Sequence, residues 1–297
     1  MTDMQGRVVL ITGATNGLGE VSAHELAGMG ATTVIVGRDE TKARRVVDAI
    51  RRAKGNQDVH YLVADLSIMD EVRQLADAFK ARFDRLDVLM NNAGMLFTSK
   101  QMTPDGYEKT FALNHLSYFL LTALLLDMLK TTGTPDRKAR IVNVSSDAHT
   151  MTGMKFDNLN AEKGYNPMTA YGLSKLENIL FTYELARRLG AEGADVTANC
   201  LHPGLVDTGF GKNNNGFIGA LSKVLVSLMK PFQLSAEKGA ETQIYLASSP
   251  EVEGVSGQYF NKKKPKRSSA ATYDQAAQER LWAISEELTG LKESVAD

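Results

Sequence analysis

The chain has one cysteine, Cys200, in 297 residues. A lone cysteine excludes an intramolecular disulfide and fits a reducing compartment, so a cytoplasmic protein is expected. Its surroundings (T-A-N-C-L) read as a buried strand, not as a reactive thiol site. Charge of either sign is not in excess. The formal net charge is −1 and the pI is about 6.5. Such a surface has no global field to draw nucleic acid or an anionic membrane. Long apolar runs are also missing. The longest, Tyr118 to Leu126, is too short to span a bilayer. Only Met1 to Gly6 precede the first apolar run, so neither a secretory signal nor a membrane anchor is expected. The five histidines are scattered and form no metal-ligand cluster. Internal repeats and a second-domain boundary are absent, so residues 1–297 read as one domain.

What remains is ordinary globular composition, 43% hydrophobic and 23% charged, arranged in a strict alternation. Arg7 to Thr12 (R-V-V-L-I-T) is a short β-branched run expected to be a strand buried on both faces. Further strands are expected at Thr32 to Val36, Val59 to Val63, Leu86 to Met90, Ile141 to Val144, Val196 to Leu201 and Gly257 to Phe260. Helical periodicity fills the intervals, including Thr41 to Lys54, Met69 to Phe83, Gly106 to Lys130, Ala236 to Ser248 and Tyr273 to Leu288. Strands alternating with helices imply an open parallel sheet with helices on both faces. The helix over Gly106 to Lys130 is apolar all round, which predicts burial on both sides. The sheet is expected to cover one side and leave the other to a second subunit, hence a homodimer. Trp282 is expected to pack inward.

Two segments depart from the alternation. Asp147 to Thr169 is a long insertion carrying His149, Met151, Met154, Phe156 and Tyr165. Residues 205–232 combine a Gly/Asn-rich hinge with a short apolar segment and read as a mobile lid, or else as a helix packed on the body or a partner. Residues 262–297 form a C-terminal extension. It opens on a basic run, Lys262 to Arg267, which reads as a solvated loop.

Three stretches carry chemistry. Gly13, Gly17 and Gly19 (G-A-T-N-G-L-G) follow the first strand and open a helix. Small residues there let backbone N–H groups and the helix N-terminus approach a pyrophosphate. The second strand ends in Gly37-Arg38, where an acidic residue would hold a ribose 2′-hydroxyl. A guanidinium suits a 2′-phosphate instead, which selects NADP. Tyr171 and Lys175 are four apart in Y-G-L-S-K and share a helix face. A cation beside the phenol is expected to lower its pKa from near 10 toward neutrality, as an acid–base catalyst requires.

T-G-A-T-N-G-L-G, N-N-A-G, V-N-V-S-S, Y-G-L-S-K and H-P-G occur in one order across nearly the whole chain. In this the chain resembles the short-chain dehydrogenase/reductase superfamily. V-G-R-D, V-S-S-D-A-H, the long Ser-to-Tyr insertion, S-K-L-E-N-I-L-F and the late G-Q-Y-F make it similar to the retinol dehydrogenase-like branch. The resemblance implies a single Rossmann-type, doubly wound α/β sheet of about seven strands. It implies Tyr171 as general acid–base and Lys175 as the group that lowers its pKa and bonds the nicotinamide ribose. Ser146, not Ser145, would bond the substrate oxygen, and Asn114 would hold a water in the proton relay. Cofactor contacts are implied for Gly13, Thr15, Asn16, Gly17, Leu18, Gly19, Arg38, Asp65, Leu66, Asn92, Ala93, Gly94, Tyr171, Lys175, Pro203, Gly204, Val206 and Thr208. Ser146, His149, Met154, Phe210 and Phe217 would face a lipophilic carbonyl or alcohol substrate. The expected activity is NADP(H)-dependent carbonyl reduction or alcohol oxidation. A protochlorophyllide-reductase-like enzyme and a catalytically silent NADP-sensing scaffold are the competing expectations.

Overall fold

Val8, Val9, Leu10 and Ile11 alternate between two separate cores, Val8 and Leu10 entering one, Val9 and Ile11 the other. A strand apolar on both faces is stable only with a layer on each side. The computed structural model, which describes residues 3–205 and 234–291, supplies both layers. Val206, Thr208, Phe210, Phe217 and nearly all of the expected lid lie outside the described residues.

The strands are β1 (Val8–Thr12), β2 (Thr32–Gly37), β3 (Val59–Val63), β4 (Val88–Asn91), β5 (Ala139–Val144), β6 (Val196–His202), β7 (Tyr259–Asn261) and β8 (Lys264–Pro265). They form one sheet in the order β3-β2-β1-β4-β5-β6-β7-β8, parallel except for the last pair. The chain winds outward from β1 through β2 and β3, then restarts on the other side with β4. A crevice therefore opens at the carboxyl ends of β1 and β4, where such sheets bind their ligands.

One face carries α1 (Gly17–Gly28), α2 (Glu40–Lys54) and, later in the chain, α6 (Ala236–Ser248). The other carries α3 (Met69–Lys80), α4 (Lys109–Thr132) and α5 (Pro167–Ala191). Local chemistry starts these helices. Asp39 accepts from the Lys42 N–H, Asn166 from Thr169 with Pro167 in the first turn, and Ser235 from Lys238.

Three expectations are corrected. The sheet has eight strands among the described residues, because the basic run folds back as β8 instead of forming a loop. Lys262 and Lys263 form its two-residue turn with φ of 50° and 61°. Two positive φ values give the twist that matches a tight hairpin. α4 is long and apolar enough to cross a membrane, unlike the shorter run identified in the sequence, but 72% of its most apolar window is buried inside the protein. Part of the cover on α4 comes from the same chain. The C-terminal helix α7 (Gln275–Leu288) supplies it: the Trp282 ring lies 5.0 Å from Phe119 of α4 and 5.9 Å from Phe181 of α5. His115 Nε2 and Ser285 Oγ are 2.9 Å apart.

Candidate active site

Tyr171 and Lys175 lie on α5, whose side chains between Gly172 and Thr182 are almost all buried. The Lys175 ammonium donates to the Val144 carbonyl at 3.0 Å, at the carboxyl end of β5. It stands 5.6 Å from the Tyr171 ring centroid and 5.8 Å from that of Tyr118. A Cβ on Gly94 would sit 3.1 Å from Lys175 Nζ, so the loop after β4 closes the same corner.

The adjacent serines separate by role. Ser145 Oγ donates to the Lys175 carbonyl at 2.7 Å and is buried. Ser146 is half-buried, and its side chain is close enough to the Tyr171 phenol to favour the phenolate. Ser146 Oγ also accepts from the Ala148 N–H at 3.2 Å, capping a 3₁₀ turn over Asp147–Met151.

Asn114 lies in a π-helical turn, Ala112–Leu116, within α4. Such turns are rare and concentrate at functional positions. Its amide is committed at both ends: Oδ1 accepts from Met95 N at 2.9 Å, and Nδ2 donates to Met95 O and to Ser174 Oγ, each at 3.0 Å. Ser174 Oγ in turn donates to the Tyr171 carbonyl at 2.8 Å. Asn114 thus braces the β4 loop against the Tyr171 turn. Ser174 stands inside Y-G-L-S-K yet escaped sequence reasoning, since nothing in that pattern says where its hydroxyl points.

The electrostatics differ from the expected picture. Desolvation pushes Tyr171 up to about 12, and the Ser146 hydrogen bond opposes it only in part. Desolvation pulls Lys175 down to about 7. The net shift of Tyr171 is upward and not down as expected, because burial penalises the phenolate more than its neighbours favour it. At neutral pH the phenol carries its proton.

The glycine loop fits a dinucleotide. Gly13 has φ of 64°, and a Cβ there would meet Ala93 Cα at 2.7 Å. A Cβ on Gly19 would lie 2.6 Å from Asn92 Nδ2 and from Gly13 O. The backbone is left bare where phosphates would approach it. Asn16 is the N-cap of α1 and makes no side-chain cap bond, so the first-turn N–H groups point to the crevice. Thr12, not singled out in the sequence, joins the two strand ends: its Oγ1 accepts from Asn92 N at 2.9 Å and Ala93 N at 3.0 Å. Asn92 Nδ2 donates to Thr12 O at 2.8 Å. Gln243 of α6, also missed, donates to Ser22 Oγ at 2.7 Å and to Leu18 O at 3.2 Å. These contacts run between distant parts of the chain and leave no local pattern.

Arg38 follows β2, half exposed, with Nη1 3.7 Å from Asp65 Oδ2. Burial acts to raise Asp65, but hydrogen bonds from Ser67 and the Arg38 charge hold its carboxyl below the usual range. Thr15 and Gly17 border the same loop, and Pro203 and Gly204 follow β6. Leu18 and Leu66 send their side chains into the cores, leaving only backbone to a ligand.

Two expected substrate residues are placed elsewhere. His149 is 1% exposed with both ring nitrogens engaged, so it is a strut and not a pocket wall. Met154 packs with Phe156 against Leu173 and Leu176 of α5 and Leu281 of α7, because the insertion folds onto the C-terminal helix. Cys200 is buried in β6, and burial pushes its thiol up to about 12, away from any thiol chemistry at this site.

The family model for short chain dehydrogenases matches residues 7–217. Human polyprenol dehydrogenase is 42% identical over 96% of this chain and 86% of its own. Human retinol dehydrogenase 14 is 42% identical over 97% of this chain and 88% of its own. Among solved structures, an NADP complex of Pseudomonas aeruginosa RhlG superposes with a TM-score of 0.69 at 26% identity, covering 87% of this chain and 95% of that one.

Proposed function

This chain belongs to the short chain dehydrogenase family, and we propose that it transfers a hydride between NADP(H) and a lipophilic ketone, aldehyde or alcohol. The observation that carries this reading is the convergence of Ser146, Tyr171 and Lys175 at the carboxyl edge of the sheet, beside a bare glycine loop. The dinucleotide, when bound, supplies or takes the hydride. Gly13, Asn16, Gly17 and Gly19 would lie along its pyrophosphate, and Lys175 would bond the ribose hydroxyls.

The rest is the work of the side chains. In reduction, Tyr171 gives its proton to the substrate oxygen, a task suited to a phenol that burial keeps protonated. Ser146 donates to the same oxygen and steadies the charge that grows there. Asn114 and Ser174 hold the Tyr171 turn against the β4 loop, which fixes the distance between acid and crevice. Preference for NADP is argued from Arg38 at the end of β2, and the NADP complex of a structural neighbour supports it. A lipophilic substrate is argued from the names of the polyprenol and retinol dehydrogenase relatives.

The test is a panel of neutral aldehydes and ketones of increasing chain length, assayed with NADPH and with NADH. Each added buried CH₂ should help by up to about 0.8 kcal/mol until the pocket is full. A flat series, or a preference for anionic or sugar substrates, rejects the lipophilic reading. Failure to oxidise NADPH with any carbonyl, or NADP with any alcohol, rejects the enzyme reading.

A further inference from the structure

We propose that the hairpin of β7 and β8 positions the catalytic serine, with Tyr259 and Lys266 acting through Asp147. The proposal rests on the role given to Ser146 above. It gives a task to two stretches that the reaction leaves unused, the basic run and the G-Q-Y-F segment.

The argument starts from the Ser146 hydroxyl. Its oxygen accepts the Ala148 N–H at 3.2 Å. That bond fixes the orientation of the Ser146 side chain beside Tyr171 and the proposed place of a substrate oxygen. This orientation lasts only while the 3₁₀ turn over Asp147–Met151 keeps its shape. A five-residue 3₁₀ turn has little stability of its own.

The C-terminal segment grips that turn at two points. At Asp147, the Tyr259 hydroxyl donates to Oδ1 at 2.6 Å, and Lys266 Nζ lies 3.2 Å from Oδ1 and 3.1 Å from Oδ2. His202 Nε2 is 3.6 Å from Oδ2, and His202 Nδ1 accepts the Asp147 N–H at 3.2 Å. At His149, Nε2 accepts the Ser269 N–H at 3.1 Å. Nδ1 must then carry the proton, and it donates to the Ser146 carbonyl at 2.7 Å. The His149 ring also meets the Tyr259 ring edge-on at 5.1 Å. Ser146 is thereby tied on both sides to residues more than a hundred positions later in the chain.

The two grips on Asp147 differ in strength. Lys266 and Asp147 are each nearly half exposed, and exposed pairs contribute little. Tyr259 is 1% exposed, and a short hydrogen bond to a carboxylate is stronger than a neutral one. Tyr259 is the principal positioning residue and Lys266 the lesser.

The experiment compares Tyr259→Phe, Lys266→Met and Lys266→Arg in the full-length enzyme. Tyr259→Phe keeps the buried ring and removes only the hydroxyl. It should lower kcat by about tenfold, the rate equivalent of about 1.4 kcal/mol, with the KM for NADPH unchanged within about twofold and NADPH binding by fluorescence retained. Lys266→Met should lower kcat by about two- to threefold, and Lys266→Arg should restore it. In a Ser146→Ala background, Tyr259→Phe should have no further effect, because its influence passes through the missing hydroxyl. A second readout does not depend on turnover: amide exchange over residues 146–151 should quicken in Tyr259→Phe while that of α1 stays the same. Unchanged kcat, a matching rise in the KM for NADPH, additive loss in the Ser146→Ala background, or unchanged exchange each overturns the proposal. Absence of turnover in the parent enzyme rejects the catalytic reading instead and leaves exchange to decide whether the hairpin holds the turn.

Discussion

Lys175 Nζ donates to the Val144 carbonyl at 3.0 Å, which joins the Tyr171 turn of α5 to the strand that delivers Ser145 and Ser146. One hydrogen bond thus fixes the spacing of the proposed cation and the proposed oxyanion donor. Burial of the ammonium, not this bond, pulls Lys175 down to about 7.

Tyr171→Phe is expected to abolish turnover and leave NADPH binding nearly intact. The ring still packs, and only the proton donor is gone. Lys175→Ala should damage both turnover and NADPH affinity, since Lys175 braces Val144 and is proposed to bond the ribose. Steady-state kinetics with cofactor titration checks both variants. Substantial activity in Tyr171→Phe removes the acid–base assignment.

Cofactor choice should follow Arg38. An arginine–phosphate contact is charge-assisted and often bidentate. Arg38→Ala should raise the KM for NADPH by about tenfold, equivalent to about 1.4 kcal/mol, and leave that for NADH unchanged. An equal effect on both cofactors would mean that the guanidinium serves Asp65 alone.

The pH dependence should be opposite in sign for the two directions. Tyr171 is held up to about 12 by burial, so the free enzyme carries a protonated phenol across neutral pH. Reduction needs that proton, and oxidation needs the phenolate. From pH 6 to 8, kcat/KM for alcohol oxidation should rise, whereas that for carbonyl reduction should not. Initial rates in both directions over this range check the sign, and a rise in reduction with pH contradicts it.

Trp282→Ala should destabilise the fold by about 2–3 kcal/mol, below the full cost of a buried tryptophan because the ring is only half-buried. It also uncovers Phe119 of α4 and Phe181 of α5. Thermal unfolding checks the first effect. Sedimentation checks the second, where self-association should increase.

Secondary structure was legible because periodicity is local. The unbroken apolar run in β1 foretold a strand buried on two faces, and helix α6 was bounded correctly from its sequence. The glycine loop and the Tyr171–Lys175 spacing were legible too, since each is a statement about neighbours along the chain. What the sequence by itself determined was therefore the order of the elements, the doubly wound sheet and the family. The tertiary structure decided the rest. It separated Ser145 from Ser146, turned His149 into a strut, folded the basic run into a strand and sent α7 to cover α4. Thr12, Ser174, Gln243 and Tyr259 acquired partners that no spacing rule announces. The expected lowering of Tyr171 failed for the same reason. A helix face tells which groups are close, but desolvation depends on everything packed around them, and that is settled only when distant segments meet.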